Sequence, residues 1–283
     1  MRIGLSGRTL GFDRVEEQAR EAEAEGWSHL WYAGGSGGDA LLALAFAGRA
    51  TSTIELGTSV VQTYPVHPAA MAARAQAVEA ACGGTGRFTL GVGPSHQPVI
   101  EGMYGLDYSR PGTHVEEWMT SLNRFLGDKP VPVLVAALGP RLLRVAGEQA
   151  AGTILWMANA RAIDSHVAPR ITRAAASAGR PAPRIVAGLP VAVHDDVDEA
   201  RAEAAKTFAV YGTLPNYQRI LGHGGISSPA DAVIVGDEAA VTAQLEALLD
   251  AGATDLWAHV FPVGTDRSGS RDRTKAVLRS LLG

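Results

Sequence analysis

Short apolar runs recur along the chain, separated by longer Ala-rich segments whose apolar residues repeat at helical spacing. The runs start near Arg2, Ser28, Ile54, Phe88, Val131, Thr153, Arg184 and Thr254. Each has strand length, and most of the gaps between them carry a helical pattern. Asp13-Arg14-Val15-Glu16 reads as a capping box that opens the first helix, with Asp13 as N-cap. Gly26 stands where the matching C-cap belongs. The last repeat is built alike. Asp237 caps a helix with Val241, Leu245, Leu248 and Leu249 on one face, and Gly252 ends it before the strand Asp255-Leu256-Trp257-Ala258. Strands alternating with helices in this way predict an α/β fold, a (β/α)8 TIM barrel. A doubly wound open sheet is the alternative that periodicity leaves open.

Two connections are too long to be plain loops. Residues 93–111 follow the fourth strand, and residues 195–236 follow the seventh with helical patterns at Val197–Lys206 and Tyr217–Leu221. Both leave carboxyl ends of strands, so both insertions should cover the active face of a barrel. Gly222-His223-Gly224-Gly225 reads as a hinge within the second lid. No linker divides the chain, and residues 1–283 read as one domain.

Composition narrows the class. The 283 residues are 46% hydrophobic and 19% charged, enough for a sizeable core. A net charge of −4 without a Lys/Arg run argues against a nucleic-acid partner. The apolar runs fall far short of the roughly 20 residues a membrane span needs. Met1-Arg2-Ile3-Gly4-Leu5 enters a strand with no apolar leader before it. Cys82 is the only cysteine, so no internal disulfide forms and no Cys-based metal site is expected. These features point to a cytoplasmic protein that acts on a small molecule, without a metal centre.

Chemistry concentrates between Phe88 and Trp118. The strand Phe88-Thr89-Leu90-Gly91-Val92 breaks at Gly93-Pro94 into Ser95-His96. Glycines at a strand end let a ligand lie close to backbone, and the polar pair falls where α/β barrels bind ligands. Gly91-Val92-Gly93-Pro94-Ser95-His96 fails as a dinucleotide fingerprint, because His96 replaces the third glycine. Gly93-Pro94-Ser95-His96-Gln97 fails as a nucleophile elbow, because Gln97 replaces the second. His96 reads as a general acid/base, as a hydrogen-bond donor to a cofactor, or as a loop residue satisfied by backbone. Ser59, Gln62, Tyr64 and His67 follow the third strand and fall at the same mouth, unless Pro65 and Pro68 only shape the turn into the next helix. Ala136-Ala137-Leu138-Gly139-Pro140-Arg141 ends the fifth strand and opens a helix. Its free N–H groups, with Arg141 or Arg144, make an anion site or else an ordinary turn. Trp156 and Trp257 end strands and serve either an aromatic pocket or the core. The acidic runs Glu21/Glu23/Glu25 and Asp195/Asp196 read as solvated faces or caps.

Together, LGTSV at 56–60, LGVGPSH at 90–96, EGMYG at 101–105, AALGP at 136–140, YGTLPNYQRIL at 211–221 and AGATDLWA at 251–258 resemble the luciferase-like monooxygenase superfamily. Within it they resemble the branch that uses the deazaflavin coenzyme F420. The resemblance implies a barrel with its cofactor at the carboxyl ends of the strands and a non-proline cis bond at Ser59-Val60 backing the ring. It implies that Ser59, Val60, Gln62, Gly93, Ser95 and His96 border the cofactor. Ala136, Ala137, Leu138, Gly139, Pro140 and Arg141 would hold its phosphate region, and His96 would be the catalytic acid. The implied reaction moves a hydride between the deazaflavin C5 and a small organic substrate. An FMN-dependent monooxygenase and a non-catalytic flavin- or deazaflavin-binding protein are the alternatives. A homodimer is implied, with the Ala-rich helices at 40–50 and 69–81 suited to packing between subunits or, equally, on their own barrel. One departure stands out. Where relatives often carry a His, Asp or Gln after the second strand, this chain reads Ala33-Gly34-Gly35-Ser36-Gly37-Gly38-Asp39.

Overall fold

Strand alternation is the organising device of the molecule, because every second residue of each strand faces one interior. The computed structural model describes residues 1–8, 11–34, 38–128 and 131–283. The strands in chain order are β1 (Ile3–Ser6), β2 (His29–Tyr32), β3 (Glu55–Thr58), β4 (Val61–Gln62), β5 (Phe88–Gly93), β6 (Val133–Val135), β7 (Gly152–Trp156), β8 (Arg184–Val193), β9 (Ile234–Gly236) and β10 (Asp255–Val260). The α-helices are α1 (Phe12–Ala24), α2 (Ala40–Ala50), α3 (Pro68–Ala81), α4 (Gln97–Gly102), α5 (Pro111–Leu126), α6 (Pro140–Gln149), α7 (Ala160–Ala162), α8 (Ala168–Ser177), α9 (Val197–Thr207), α10 (Pro215–His223), α11 (Glu238–Asp250) and α12 (Arg267–Ser280). A π-helical turn, Ile163–Val167, joins α7 to α8.

Eight parallel strands run β10-β1-β2-β3-β5-β6-β7-β8, and β8 pairs back onto β10. That last pairing closes the predicted barrel and removes the open-sheet alternative. β4 and β9 are additions, pairing with the ends of β5 and β8. At two and three residues they are too short for periodicity to reveal. The predicted insertions hold α4 and its following loop, and α9, α10 and β9. Gly222–Gly225 closes α10, with Gly224 as C-cap and Gly225 at φ +72°.

The barrel interior is layered. Its floor holds Arg2, His29, Glu55, Arg184 and Asp255, all at the amino ends of strands. Arg184 grips both oxygens of Asp255, at 2.8 and 2.9 Å. Arg2 bonds Asp255 at 2.9 Å and Glu55 at 2.7 Å, and His29 Nε2 lies 2.8 Å from Glu55. Asp255 is only 2% exposed. Burial alone would raise its carboxyl, but Arg184, Arg2 and the Thr254 hydroxyl outweigh that and hold it at about 2.

The next layer is Trp31 and Trp257 with Leu134, Ile154 and Val186. Trp31 sits in register beside Gly57, and Trp257 beside Gly4 and Gly188. A side chain at Gly57 would overlap the Trp31 ring, and one at Gly188 the Trp257 ring. The two indoles fill the barrel only because these strand neighbours have no side chain.

Two details differ from the sequence expectation. The first helix opens at Phe12 with Gly11 as N-cap and no side-chain cap, so Asp13 lies in the first turn. There its charge favours the helix dipole instead of capping an N–H. At the other end the Schellman pair forms as expected, Gly26 N–H to Glu23 O and Trp27 N–H to Ala22 O. Glu23 is not a solvated face. Its Oε1 accepts from the backbone of Ser52, Thr53 and Ile54 and from the Thr53 hydroxyl, tying α1 to the entry of β3. Those bonds outweigh partial burial and hold its pKa at about 2.

Arg184→Met should remove about 3 kcal/mol of unfolding free energy, because Asp255 is left charged and buried. Adding Asp255→Leu should restore most of it, as urea denaturation will show. Since the Asp255 pKa is depressed, its contribution is full above the unfolded value near 4 and is lost as pH falls through about 2. Asp255→Asn should therefore show a shallower loss of stability between those two pH values.

Candidate functional site at the barrel mouth

By the same alternation, the layer at the carboxyl ends of the strands presents Ser6, Ala33, Ser59, Gly93, Ala136, Trp156, Pro190 and His259 inward. Three of the predicted cofactor residues, Ser59, Gly93 and Ala136, therefore meet in one ring. Just after β3 the Ser59-Val60 bond is cis, as the resemblance implies. Val60 turns inward against Gly93: a Cβ there would stand 3.0 Å from both Val60 and Ala136. The Ser59 hydroxyl is buried and has no hydrogen-bond partner among the described residues.

Gln62 and Ser95 also converge. Gln62 Nε2 lies 3.3 Å from Ser95 Oγ, and Tyr104 donates to Gln62 Oε1 at 2.8 Å. Tyr108 donates to the Ser95 carbonyl at 2.6 Å. Ser95 holds φ +62°, a left-handed conformation that turns the chain away from β5 toward His96. His96 is N-cap of α4 but makes no cap bond with its side chain. Its ring packs 5.7 Å from that of Tyr217 on α10, and burial holds its pKa below the ordinary histidine range.

The predicted phosphate segment lies open. Gly139 is N-cap of α6 without a side-chain bond, and a Cβ there would meet nothing within 4 Å. Open space thus adjoins the amino end of α6 at Gly139. Arg141 and Arg144 both pair with Glu116 of α5, so the charge they bring is already shared. Leu138 is held from behind: His166 on the π turn donates from Nε2 to its carbonyl at 2.9 Å. The His166 ring stacks at 3.7 Å on that of His223, and Asn159 donates to Gly224 O at 3.1 Å. These contacts seat α10 across the mouth from Tyr217 to His223.

Trp257 belongs to the core, while Trp156 is half-buried one layer higher and forms a wall of the mouth. Around it stand Tyr211 at 5.9 Å, His259 at 5.7 Å and Phe208 at 6.3 Å between ring centres. His259 and Phe208 escaped sequence reading. The available sign for His259 was its place two residues beyond Trp257, on the same strand face. Of the glycine-rich segment after β2, Gly35, Ser36 and Gly37 lie outside the described residues. Asp39 at its end caps α2 and pairs with Arg74. Among the described residues no cluster of three or more His, Cys, Asp or Glu could hold a metal ion. No helix among them is long and apolar enough to cross a membrane.

The profile of the luciferase-like monooxygenase family matches residues 2–268. The chain belongs to this family. It is similar to a 5,10-methylenetetrahydromethanopterin reductase of Methanolobus tindarius, 25% identical over 292 residues that cover 95% of this chain and 86% of that protein. Among solved structures it resembles the coenzyme F420-dependent tetrahydromethanopterin reductase of Methanopyrus kandleri, with a TM-score of 0.74, 19% identity and 96% of each chain covered. It also resembles the oxygenating component of 3,6-diketocamphane monooxygenase of Pseudomonas putida in complex with FMN. There the TM-score is 0.72 at 17% identity, with 99% of this chain and 96% of that chain covered. The luciferase-like family places this protein among flavin- and deazaflavin-dependent oxidoreductases.

Ser95 makes a direct check on the mouth. Ser95→Val should cost about 1–2 kcal/mol, since a β-branched residue is forced into the left-handed region. Ser95→Gly should stay within a few tenths of a kcal/mol of wild type although it removes the Gln62 contact. Chemical denaturation of both variants distinguishes the two outcomes.

Proposed function

We propose that the protein is a coenzyme F420-dependent oxidoreductase that transfers a hydride between the deazaflavin C5 and a small organic substrate at the barrel mouth. One observation carries the fit: the buried, unpartnered Ser59 hydroxyl, set in the inward ring beside Gly93 and Ala136. A bound ring edge would satisfy it, and a buried polar group without a partner is otherwise costly. Ser59, Val60, Gln62, Gly93, Ser95 and His96 would border the ring. Ala136, Ala137, Leu138, Gly139, Pro140 and Arg141 would border the phosphate, with the open first turn of α6 supplying N–H donors. The cofactor supplies hydride chemistry; the chain orients it, excludes water with α4, α9 and α10, and steadies developing charge. His96 would protonate or hydrogen-bond the substrate. The methanopterin reductases support the deazaflavin. The FMN-bound monooxygenase supports a second reading, oxygen activation by reduced FMN on the same ring. A homodimer acting in the cytoplasm completes the proposal.

Parallel titration of the protein with F420 and FMN, following quenching of each cofactor's fluorescence, should show saturable binding of F420 in preference to FMN. The reverse preference would move the function to monooxygenase chemistry. Gly139→Asp should leave folding stability within a few tenths of a kcal/mol, because its φ of −104° suits an acidic N-cap. The new carboxylate should weaken cofactor binding at least tenfold, by repelling the phosphate. His96→Ala should lower kcat about a hundredfold or more while leaving cofactor Kd within a factor of two. If His96 acts as the acid, its depressed pKa means that the protonated form grows as pH falls below neutral. The kcat of wild type should then rise in that direction, and that of His96→Ala should not.

A further inference from the structure

Within the inward ring at the mouth, His259 is the one titratable side chain, and its hydrogen bonds favour one tautomer. Trp257 Nε1 lies 2.8 Å from Ser6 Oγ, and His259 Nδ1 lies 3.0 Å from the same oxygen. An indole N–H can only donate, so Ser6 accepts it. The one acceptor left for the Ser6 hydroxyl proton among the described residues is His259 Nδ1. A neutral His259 that accepts at Nδ1 carries its proton on Nε2. That nitrogen has no partner among the described residues and is not sealed off, since it is absent from the buried orphaned atoms. The ring meets Trp156 and Phe208 edge-on, at 5.7 and 6.0 Å, with interplanar angles of 85° and 79°. Burial keeps the imidazole neutral at pH 7, and no charged group contributes to that shift. The remaining inward positions, Ser6, Ala33, Ser59, Gly93, Ala136, Trp156 and Pro190, include no Asp, Glu, Lys or Arg.

We propose that His259 is a substrate-facing donor. Its Nε2–H, oriented by Ser6 and Trp257, hydrogen-bonds the oxygen of a neutral, planar conjugated carbonyl compound held among the rings of Trp156, Phe208 and Tyr211. The proposal rests on the hydride-transfer reading above and names the substrate class for it. A charged substrate would be buried here without a counter-ion, whereas a flat apolar body gains ring contacts on several sides. When hydride from the reduced deazaflavin reaches the carbonyl carbon, the π pair moves onto oxygen. There the Nε2–H meets the growing negative charge without leaving nitrogen, and His96, the acid of that reading, supplies the proton that completes the alcohol. Ser6 is a positioning residue, acting through His259.

Histidine 15N NMR of the cofactor-free protein tests the donor independently of which cofactor binds. His259 should show a protonated Nε2 and a bare Nδ1, and Ser6→Ala should give a mixture of the two tautomers. A proton on Nδ1 in wild type would overturn the proposal. Acetophenone is the probe for the substrate class, with ethylbenzene as its oxygen-free counterpart, each added to the free, F420-loaded and FMN-loaded protein. Acetophenone should move the His259 Nε2 resonance and ethylbenzene should not. His259→Phe should raise the acetophenone Kd about tenfold, and His259→Gln, which keeps an N–H, should stay within a factor of three of wild type. Equal responses to both probes, no acetophenone binding in any form, or equal loss in both variants would sink the assignment. Failure to bind F420 with an intact tautomer and acetophenone response would instead overturn only the deazaflavin reading.

Discussion

The grip of Arg184 on Asp255 closes this barrel. A parallel ring has a seam where its last strand must find its first; here Asp255 of β10 meets Arg2 beside β1 across that seam and Arg184 of β8 on its other side, beneath the core. Arg2 and His29 extend the same network across β1 and β2, and Glu55 carries it to β3. Five successive strands of the ring are thus tied at their amino ends. A buried ionic cluster contributes less net stability than apolar packing of the same volume, yet it penalises a wrong strand neighbour by leaving a charge unpaired. With the floor tied, the opposite ends of the strands are left free to carry chemistry.

Much of that plan was legible before any coordinates. Each of the eight ring strands begins within two residues of its predicted start, because a buried parallel strand bounded by helical segments leaves a strong pattern. The helix stops at Gly26 and Gly252 were legible for a local reason: each glycine holds positive φ. Glu23 was not, since its role depends on a loop thirty residues further along that periodicity cannot bring near. The floor network escaped for the same reason. Its members are ordinary charged residues until closure puts them together.

The mouth divides in the same way. Ser59, Gly93 and Ala136 lie at strand ends, so position and resemblance both found them. Phe208 and Tyr211 reach the mouth from the end of α9 and the turn after it, where they pack on Trp156, a contact between distant parts of the chain that periodicity cannot show. His259 was hidden differently. A histidine at the end of a strand is unremarkable until Ser6, 253 residues earlier, proves to be its neighbour.

Trp31 beside Gly57, and Trp257 between Gly4 and Gly188, constrain how such a barrel can change over evolutionary time. Either partner altered alone meets an obstacle: a new Cβ overlaps a ring, or a lost ring leaves a void. Passage to another core must therefore cross a less stable ancestor or change both positions together. These pairs should be inherited as units.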